Sequence, residues 1–230
     1  MPNLTAVFDL DGTLVDTAAD LTAATNRTLS KLQLPATPAS TLRPVVNSGA
    51  RAMIEAGLVH HGVSKSATEV DSLLETFLAD YARHIVIESQ PFPGALANLE
   101  KLKASGARLG VCTNKREFLA RRLLTELKMD KLFDAVVGRD TLPVHKPDPG
   151  RLIGTVILAD GDLGRCVMIG DSEIDIRTAK SAGIPVVGVS FGYSPEPISK
   201  YKPDLVLNHY DQLAGALDML LPLARGKRST

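Results

Sequence analysis

Asp9 and Asp11 are two carboxylates one residue apart, placed directly after the apolar run Ala6-Val7-Phe8 and directly before Gly12-Thr13. An apolar run of this kind reads as a buried strand, whose side chains alternate between faces. Gly12 marks the tight turn where strand geometry ends, so one carboxylate could face a substrate while the next works from the other side. Paired acids in or near a core repel each other and resist desolvation. They persist where a cation, or a proton shared with a reacting group, offsets them. Alone, an Asp-x-Asp is as readily a solvated turn or a helix cap; at a strand end it implies a metal, catalysis or both. A calcium loop would need glycine sixth and glutamate twelfth, where this chain has Leu14 and Asp20.

Three further groups follow apolar runs or stiff loops. Thr113-Asn114 comes after Leu109-Gly110-Val111-Cys112 and before a helical stretch, so hydroxyl, amide and free backbone N–H groups converge as phosphate oxygens require. Lys146 stands in His145-Lys146-Pro147-Asp148-Pro149, a loop stiffened by its prolines. Gly170-Asp171-Ser172-Glu173-Ile174-Asp175 follows Cys166-Val167-Met168-Ile169, and Asp171 and Asp175, four apart, share one helix face. Singly, each has an ordinary account as a helix cap, a solvated lysine or an acidic helix start. Together, they give four strand ends the groups that metal-assisted phosphoryl transfer needs.

The elements that must hold these groups alternate regularly. Strands are expected at 4–9, 107–112, 134–138, 166–170, 185–189 and 204–207, and helices at 94–104, 116–127, 149–159, 173–182 and 211–221. That pattern predicts an α/β fold, a doubly wound parallel (Rossmann-like) sheet with crossover helices. Active sites of such sheets lie at the carboxyl ends of strands near a switch in strand order. Nearly one hundred residues separate the first strand from the next, far more than one crossover requires. Residues 16–88 carry apolar positions at three- or four-residue steps: Leu21, Ala24, Thr28 and Leu32; Met53, Gly57 and His60; Val70, Leu73, Phe77, Tyr81 and Ile85. Pro35 and Pro38 break the first helix from the second, and Gln90-Pro91-Phe92-Pro93-Gly94 turns the chain back. The expected organisation is a core domain of residues 1–15 and 91–230 with an inserted helical cap domain, 16–90. His60 and His61 read as a helix end near Gly62, without chemistry.

The ordered set Asp-x-Asp-Gly-Thr, Thr-Asn, Lys-Pro and Gly-Asp-x-x-x-Asp resembles the haloacid dehalogenase-like superfamily over essentially the whole chain. Within it, Gly49-Ala50-Arg51, Cys112-Thr113-Asn114-Lys115, Asp140-Thr141-Leu142-Pro143 and Phe191-Gly192-Tyr193 are similar to bacterial phosphoglycolate phosphatases. The resemblance implies Asp9 as nucleophile, forming an aspartyl-phosphate, and Asp11 as acid and base. It implies Mg²⁺ on Asp9, the Asp11 main-chain carbonyl and Asp171, with Asp175 orienting a metal water or Lys146. Thr113, Asn114 and Lys146 would hold the phosphoryl oxygens. Arg51, opening a cap helix, is the candidate reader of the substrate's anionic end; Lys115 is a weaker one, expected to be solvated at a helix start. The substrate is then a small phosphorylated metabolite, 2-phosphoglycolate first. A sugar phosphate such as N-acetylmuramic acid 6-phosphate, a sugar-phosphate mutase outcome and a catalytically idle protein-binding role are the rivals.

Composition bounds the rest. With 44% hydrophobic residues the 230-residue chain can bury a full core. Its 26 basic and 26 acidic residues balance, so no global field recruits nucleic acid or an anionic membrane. Cys112 and Cys166 read as reduced core thiols. No run approaches the ~18 apolar residues of a membrane span, and the N-terminus does not read as a signal peptide. A cytoplasmic monomer or homodimer is expected. The tail 225–230 is too short to argue nucleic-acid binding and is expected to fray.

Overall fold

The computed structural model describes residues 3–226; of the tail expected to fray, 227–230 lie outside the described residues. Among the described residues eight strands form, β1 (Thr5–Phe8), β2 (Val15–Asp16), β3 (Gln90–Pro91), β4 (Arg108–Cys112), β5 (Ala135–Val137), β6 (Cys166–Gly170), β7 (Val186–Val189) and β8 (Leu205–Leu207). Six of them make one sheet in the order β5-β4-β1-β6-β7-β8, parallel throughout. β1 is central, and the order reverses across it, which makes its carboxyl end the switch point where such sheets bind ligands.

Strands buried on both faces read as near-continuous apolar runs, and β1 does from Ala6 to Phe8, while the hydroxyl of buried Thr5 accepts from the Asp162 N–H. Ala6 and Phe8 enter one core cluster, while Val7 points into the other, as strand alternation requires. Val7's cluster is closed by α7 (Pro149–Leu158) and α8 (Glu173–Ser181), through Leu152, Val156, Ile176 and Ala179. The opposite face carries α5 (Ala95–Ala104), α6 (Glu117–Glu126) and α9 (Leu213–Gly226). Cys112 and Cys166 are free and buried. Among the described residues, no helix is long and apolar enough to cross a membrane.

Between β2 and β3 the chain is helical: α1 (Ala18–Ser30), α2 (Ala39–Leu42), a 3₁₀ turn (Arg43–Ser48), α3 (Ala50–His60) and α4 (Ala67–Arg83). α1, α3 and α4 pack on one another through Leu21, Ala24, Met53, Ile54, Phe77 and Tyr81, all buried. The buried stripe of α3 runs through Met53, Ile54, Gly57 and Leu58, not His60, which is exposed. α1 ends two residues before Leu32, and Gln33 takes a positive φ, a left-handed turn that stops a helix. His61 caps α3, and its Nε2 lies 3.1 Å from Thr37 Oγ1. β2 and β3 pair antiparallel, Val15 with Pro91 and Asp16 with Gln90, so the chain enters and leaves the helical segment side by side. Asp20 in α1 ties this junction down. Its buried carboxylate accepts from the N–H groups of Ile87, Glu88 and Ser89 and from the Ser89 hydroxyl.

Candidate active site

The chain leaves β1 through a tight turn in which the Leu10 carbonyl accepts from the N–H groups of Leu14 and Val15, each at 3.0 Å. Gly12 takes φ +80° there, and a Cβ on it would meet the Asp171 carboxylate and, at 2.8 Å, the Tyr193 ring. Only glycine fits both demands. Asp9 still donates its N–H to the Ile169 carbonyl at 2.9 Å, which fixes its carboxylate on the rigid centre of the sheet. Asp171, directly after β6, and Asp175, in the first turn of α8, are fully buried beside it. Oxygens of Asp9, Asp171 and Asp175 lie within 4.8 Å of one another.

Lys146 reaches in from the loop after β5. Its ammonium sits 2.9 Å from Asp9 Oδ1 and 2.6 Å from Asp175 Oδ1. Burial opposes that charge, but Asp175 and Asp9 more than offset it and hold the lysine protonated. Burial pushes Asp9 up to about 8 despite Lys146, with Asp175 and Asp171 adding repulsion. Asp171 rises to about 6, from burial and then from Asp175. The balance of charge is the deciding quantity: the three carboxylates face one ammonium, leaving two buried negative charges when all are ionised. A divalent cation offsets that excess, and oxygen-only ligands suit Mg²⁺.

The carboxylates differ in what they have left to offer. Asp175 is committed on both oxygens: Oδ1 accepts from Lys146, Oδ2 from the Ser172 N–H and hydroxyl in a capping box. Asp171 is engaged on both oxygens as well, but by neutral donors and not by the ammonium: Oδ1 accepts from Thr13 Oγ1, and Oδ2 from the Tyr193 N–H and, at 2.9 Å, from Asn47 Nδ2 of the helical segment. Asp9 Oδ1 is buried and has no directed hydrogen bond among the described residues, only the close ammonium. The residues present therefore fit a metal that takes Asp9 and Asp171 directly. Asp11 turns its carboxylate away from this cluster. It accepts from Thr17 Oγ1 at 2.7 Å and from Lys115 Nζ at 2.8 and 3.0 Å, which leaves its main-chain carbonyl as the group for a metal.

Above the strand ends lies a cavity of about 430 Å³, bounded below by Asp9, Asp11, Thr113, Asn114 and Lys146 and above by the helical segment. Its roof is largely apolar, with Leu21, Met53, Phe77 and Tyr81, and Arg51 lines it as well. The Arg51 guanidinium is engaged by Asp71 and, at 3.6 Å, by Glu55.

The family model for haloacid dehalogenase-like hydrolases matches residues 6–189, the span that holds all of these groups but Tyr193. The chain belongs to that family. A phosphoglycolate phosphatase of Mesorhizobium japonicum is 41% identical to this haloacid dehalogenase-like hydrolase over 220 residues, covering 96% of this chain and 97% of its own. One of Caulobacter vibrioides is 42% identical, covering 94% and 92%. The crystal structure of a predicted phosphoglycolate phosphatase from Haemophilus somnus aligns with a TM-score of 0.86 at 29% identity, covering 94% of this chain and 97% of that one.

The structure of this haloacid dehalogenase-like hydrolase corrects one expectation and adds residues that sequence reasoning did not assign. Lys115 is not solvated: its side chain is 5% exposed, clamped between Asp11 and the Tyr81 ring, 4.7 Å from the ring centroid. Burial opposes its charge too, but Asp11 outweighs the penalty and raises its pKa. Arg151, fully buried, donates to the carbonyls of Arg139, Leu142 and Val144 and reaches that of Thr113 at 3.5 Å. It thereby fastens the loop before Lys146 to the end of β4. Tyr193 donates its N–H to Asp171, and its phenol bonds Asp16 and the N–H groups of Thr17 and Ala18 at the start of α1.

Proposed function

We propose that the chain hydrolyses 2-phosphoglycolate, with Mg²⁺ and through an aspartyl-phosphate on Asp9. The enzyme is a phosphoric monoester hydrolase, and its relatives of about 40% identity are phosphoglycolate phosphatases along nearly their whole length. The observation that carries the mechanism is the buried cluster of Asp9, Asp171 and Asp175 against the single ammonium of Lys146, with Asp9 and Lys146 lining the same cavity as Thr113 and Asn114.

In this reading Asp9 attacks phosphorus and the leaving oxygen departs with a proton handed over by Asp11; Asp11 then takes a proton from the water that cleaves the acyl phosphate. Thr113, Asn114 and Lys146 hold the phosphoryl oxygens and offset their charge. Asp9, the Asp11 carbonyl and Asp171 would hold Mg²⁺, which, when bound, screens the phosphate and fixes its orientation to Asp9. Asp175 keeps Lys146 in place, and the helical segment with its apolar face excludes bulk water. Arg51 is a proposed reader of a distal anion. Its partners are exposed, and exposed pairs are worth only ~0–1 kcal/mol, so a ligand could recruit it.

The cavity of about 430 Å³ exceeds what a two-carbon phosphate fills and supports a sugar-phosphate phosphatase as the second reading. Phosphate release across a panel of phosphomonoesters, with Mg²⁺ and with excess chelator, decides between them. The expected result is the highest kcat/KM on 2-phosphoglycolate and no turnover in chelator. A preference for a sugar 6-phosphate moves the substrate assignment, and full turnover in chelator removes the metal.

A further inference from the structure

Five basic residues line the cavity: Arg51, Lys115, Arg116, Arg139 and Lys146. Lys146 is held by Asp9 and Asp175. Arg51 and Arg116 pair with exposed acids, Asp71 and Glu75, on α4, and Arg139 is exposed. Lys146 is buried as well, but it is shared by two carboxylates of the cluster and is assigned to the phosphoryl oxygens; Lys115 is the other buried ammonium on the cavity wall, and its acid partner is Asp11.

Its position limits what it could touch. The ammonium lies 2.8 Å from Asp11 Oδ1 and 3.0 Å from Oδ2, and Asp11 is the residue proposed to protonate the leaving oxygen. A ligand group on the carbon next to the ester oxygen can therefore reach Lys115 while that oxygen reaches Asp11. Only an anion would compete with a carboxylate for a buried ammonium. Asp11 would keep a partner when Lys115 turned to such a ligand, because Thr17 Oγ1 donates to it independently at 2.7 Å. The Tyr81 ring, 4.7 Å from the ammonium, supplies a second surface that favours the cation without satisfying its hydrogen bonds.

We infer that Lys115 binds a carboxylate carried on the carbon adjacent to the ester oxygen, so that the substrate class is the phosphate esters of short 2-hydroxy acids. This rests on the proposed phosphatase reading and deepens it: the specificity contact comes from the β4 loop beside the reacting atoms, and Arg51 on α3 is secondary.

The test is steady-state kinetics of the full chain with Mg²⁺ on a matched pair, 2-phosphoglycolate and the uncharged 2-hydroxyethyl phosphate, for wild type, K115M, K115R and R51A. Thermal melts check that each variant is folded. A lost charge-assisted hydrogen bond corresponds to about a ten- to hundredfold change. K115M should lose that much discrimination between the pair, chiefly through KM for 2-phosphoglycolate. K115R keeps a cation against Asp11 but alters its reach, and should lose discrimination in part; it carries the test if K115M does not fold. Equal losses on both esters would show that Lys115 only positions Asp11, and would overturn the inference. So would a selective loss in R51A with discrimination intact in the Lys115 variants. A wild type that does not prefer 2-phosphoglycolate to its uncharged analogue sinks the substrate reading itself, and the inference with it.

Discussion

Asp9 is held by its own backbone bond to β6 and by the Lys146 ammonium at 2.9 Å, so its replacement tests chemistry more cleanly than folding. D9N keeps the shape and removes the proposed nucleophile. Turnover should fall below about a hundredth of wild type, given what catalytic groups contribute, while the urea midpoint stays or rises because one of three crowded carboxylates has become neutral. Residual activity well above that level would end the covalent mechanism. Asp9, Asp11, Thr113, Asn114, Lys146, Asp171 and Asp175 could be singled out from sequence because each sits where an apolar run stops or a stiff loop begins, a purely local signal. Lys115 could be named only as a weaker candidate expected to be solvated, and Arg151 gave no signal. The acid that buries Lys115 lies 104 positions away, and Arg151 is solvated by main-chain carbonyls, which have no residue type to read. Asn47 was missed for the same reason: its partner Asp171 is 124 positions away.

The loop after β7 does more than connect. The phenol oxygen of Tyr193 donates once and accepts twice, from Thr17 N at 2.6 Å and Ala18 N at 3.0 Å, so it caps α1, which has no cap from its own Thr17. Y193F removes that acceptor and should cost about 1–2 kcal/mol in urea unfolding. Apparent Mg²⁺ affinity should change little, since Asp171 is bonded through the Tyr193 main chain. G192A should do the reverse, because a Cβ there runs into the Asp171 side chain; activity titrated against Mg²⁺ should need a higher concentration. Equal effects of the two variants on Mg²⁺ dependence would mean that the loop acts as one unit. Phe191-Gly192-Tyr193 was noticed in the sequence as a motif, but its contacts reach α1 and β6, elements that no local periodicity connects. The two-residue strands β2 and β3 are likewise too short for alternation to reveal, whereas the long periodic runs of the sheet and its helices were readable.

Stability of the whole chain should depend on pH in an unusual direction. Burial, with repulsion among the carboxylates, raises Asp9 to about 8 and Asp171 to about 6 from an ordinary 3.8. The metal-free fold therefore keeps protons that the unfolded chain has already released between about pH 4 and 8, and linkage makes it less stable as pH rises through that window. In excess chelator the urea midpoint should drop from about pH 5 to about pH 8. Saturating Mg²⁺, which takes the ionised carboxylates, should remove most of that drop and stabilise more at the higher pH. An identical slope with and without Mg²⁺ would locate the titration elsewhere. The central place of β1 has a further consequence during synthesis. The first strand of the six-stranded sheet to leave the ribosome waits longest to be enclosed: one neighbour, β4, starts at Arg108, and the other, β6, at Cys166. At ~5–20 residues per second, the segment that ends in Asp9 waits on the order of ten seconds or more with an open edge on at least one side. A nascent chain stalled before β6 should thus be captured by chaperones through Ala6, Val7 and Phe8, and released once residue 170 has emerged.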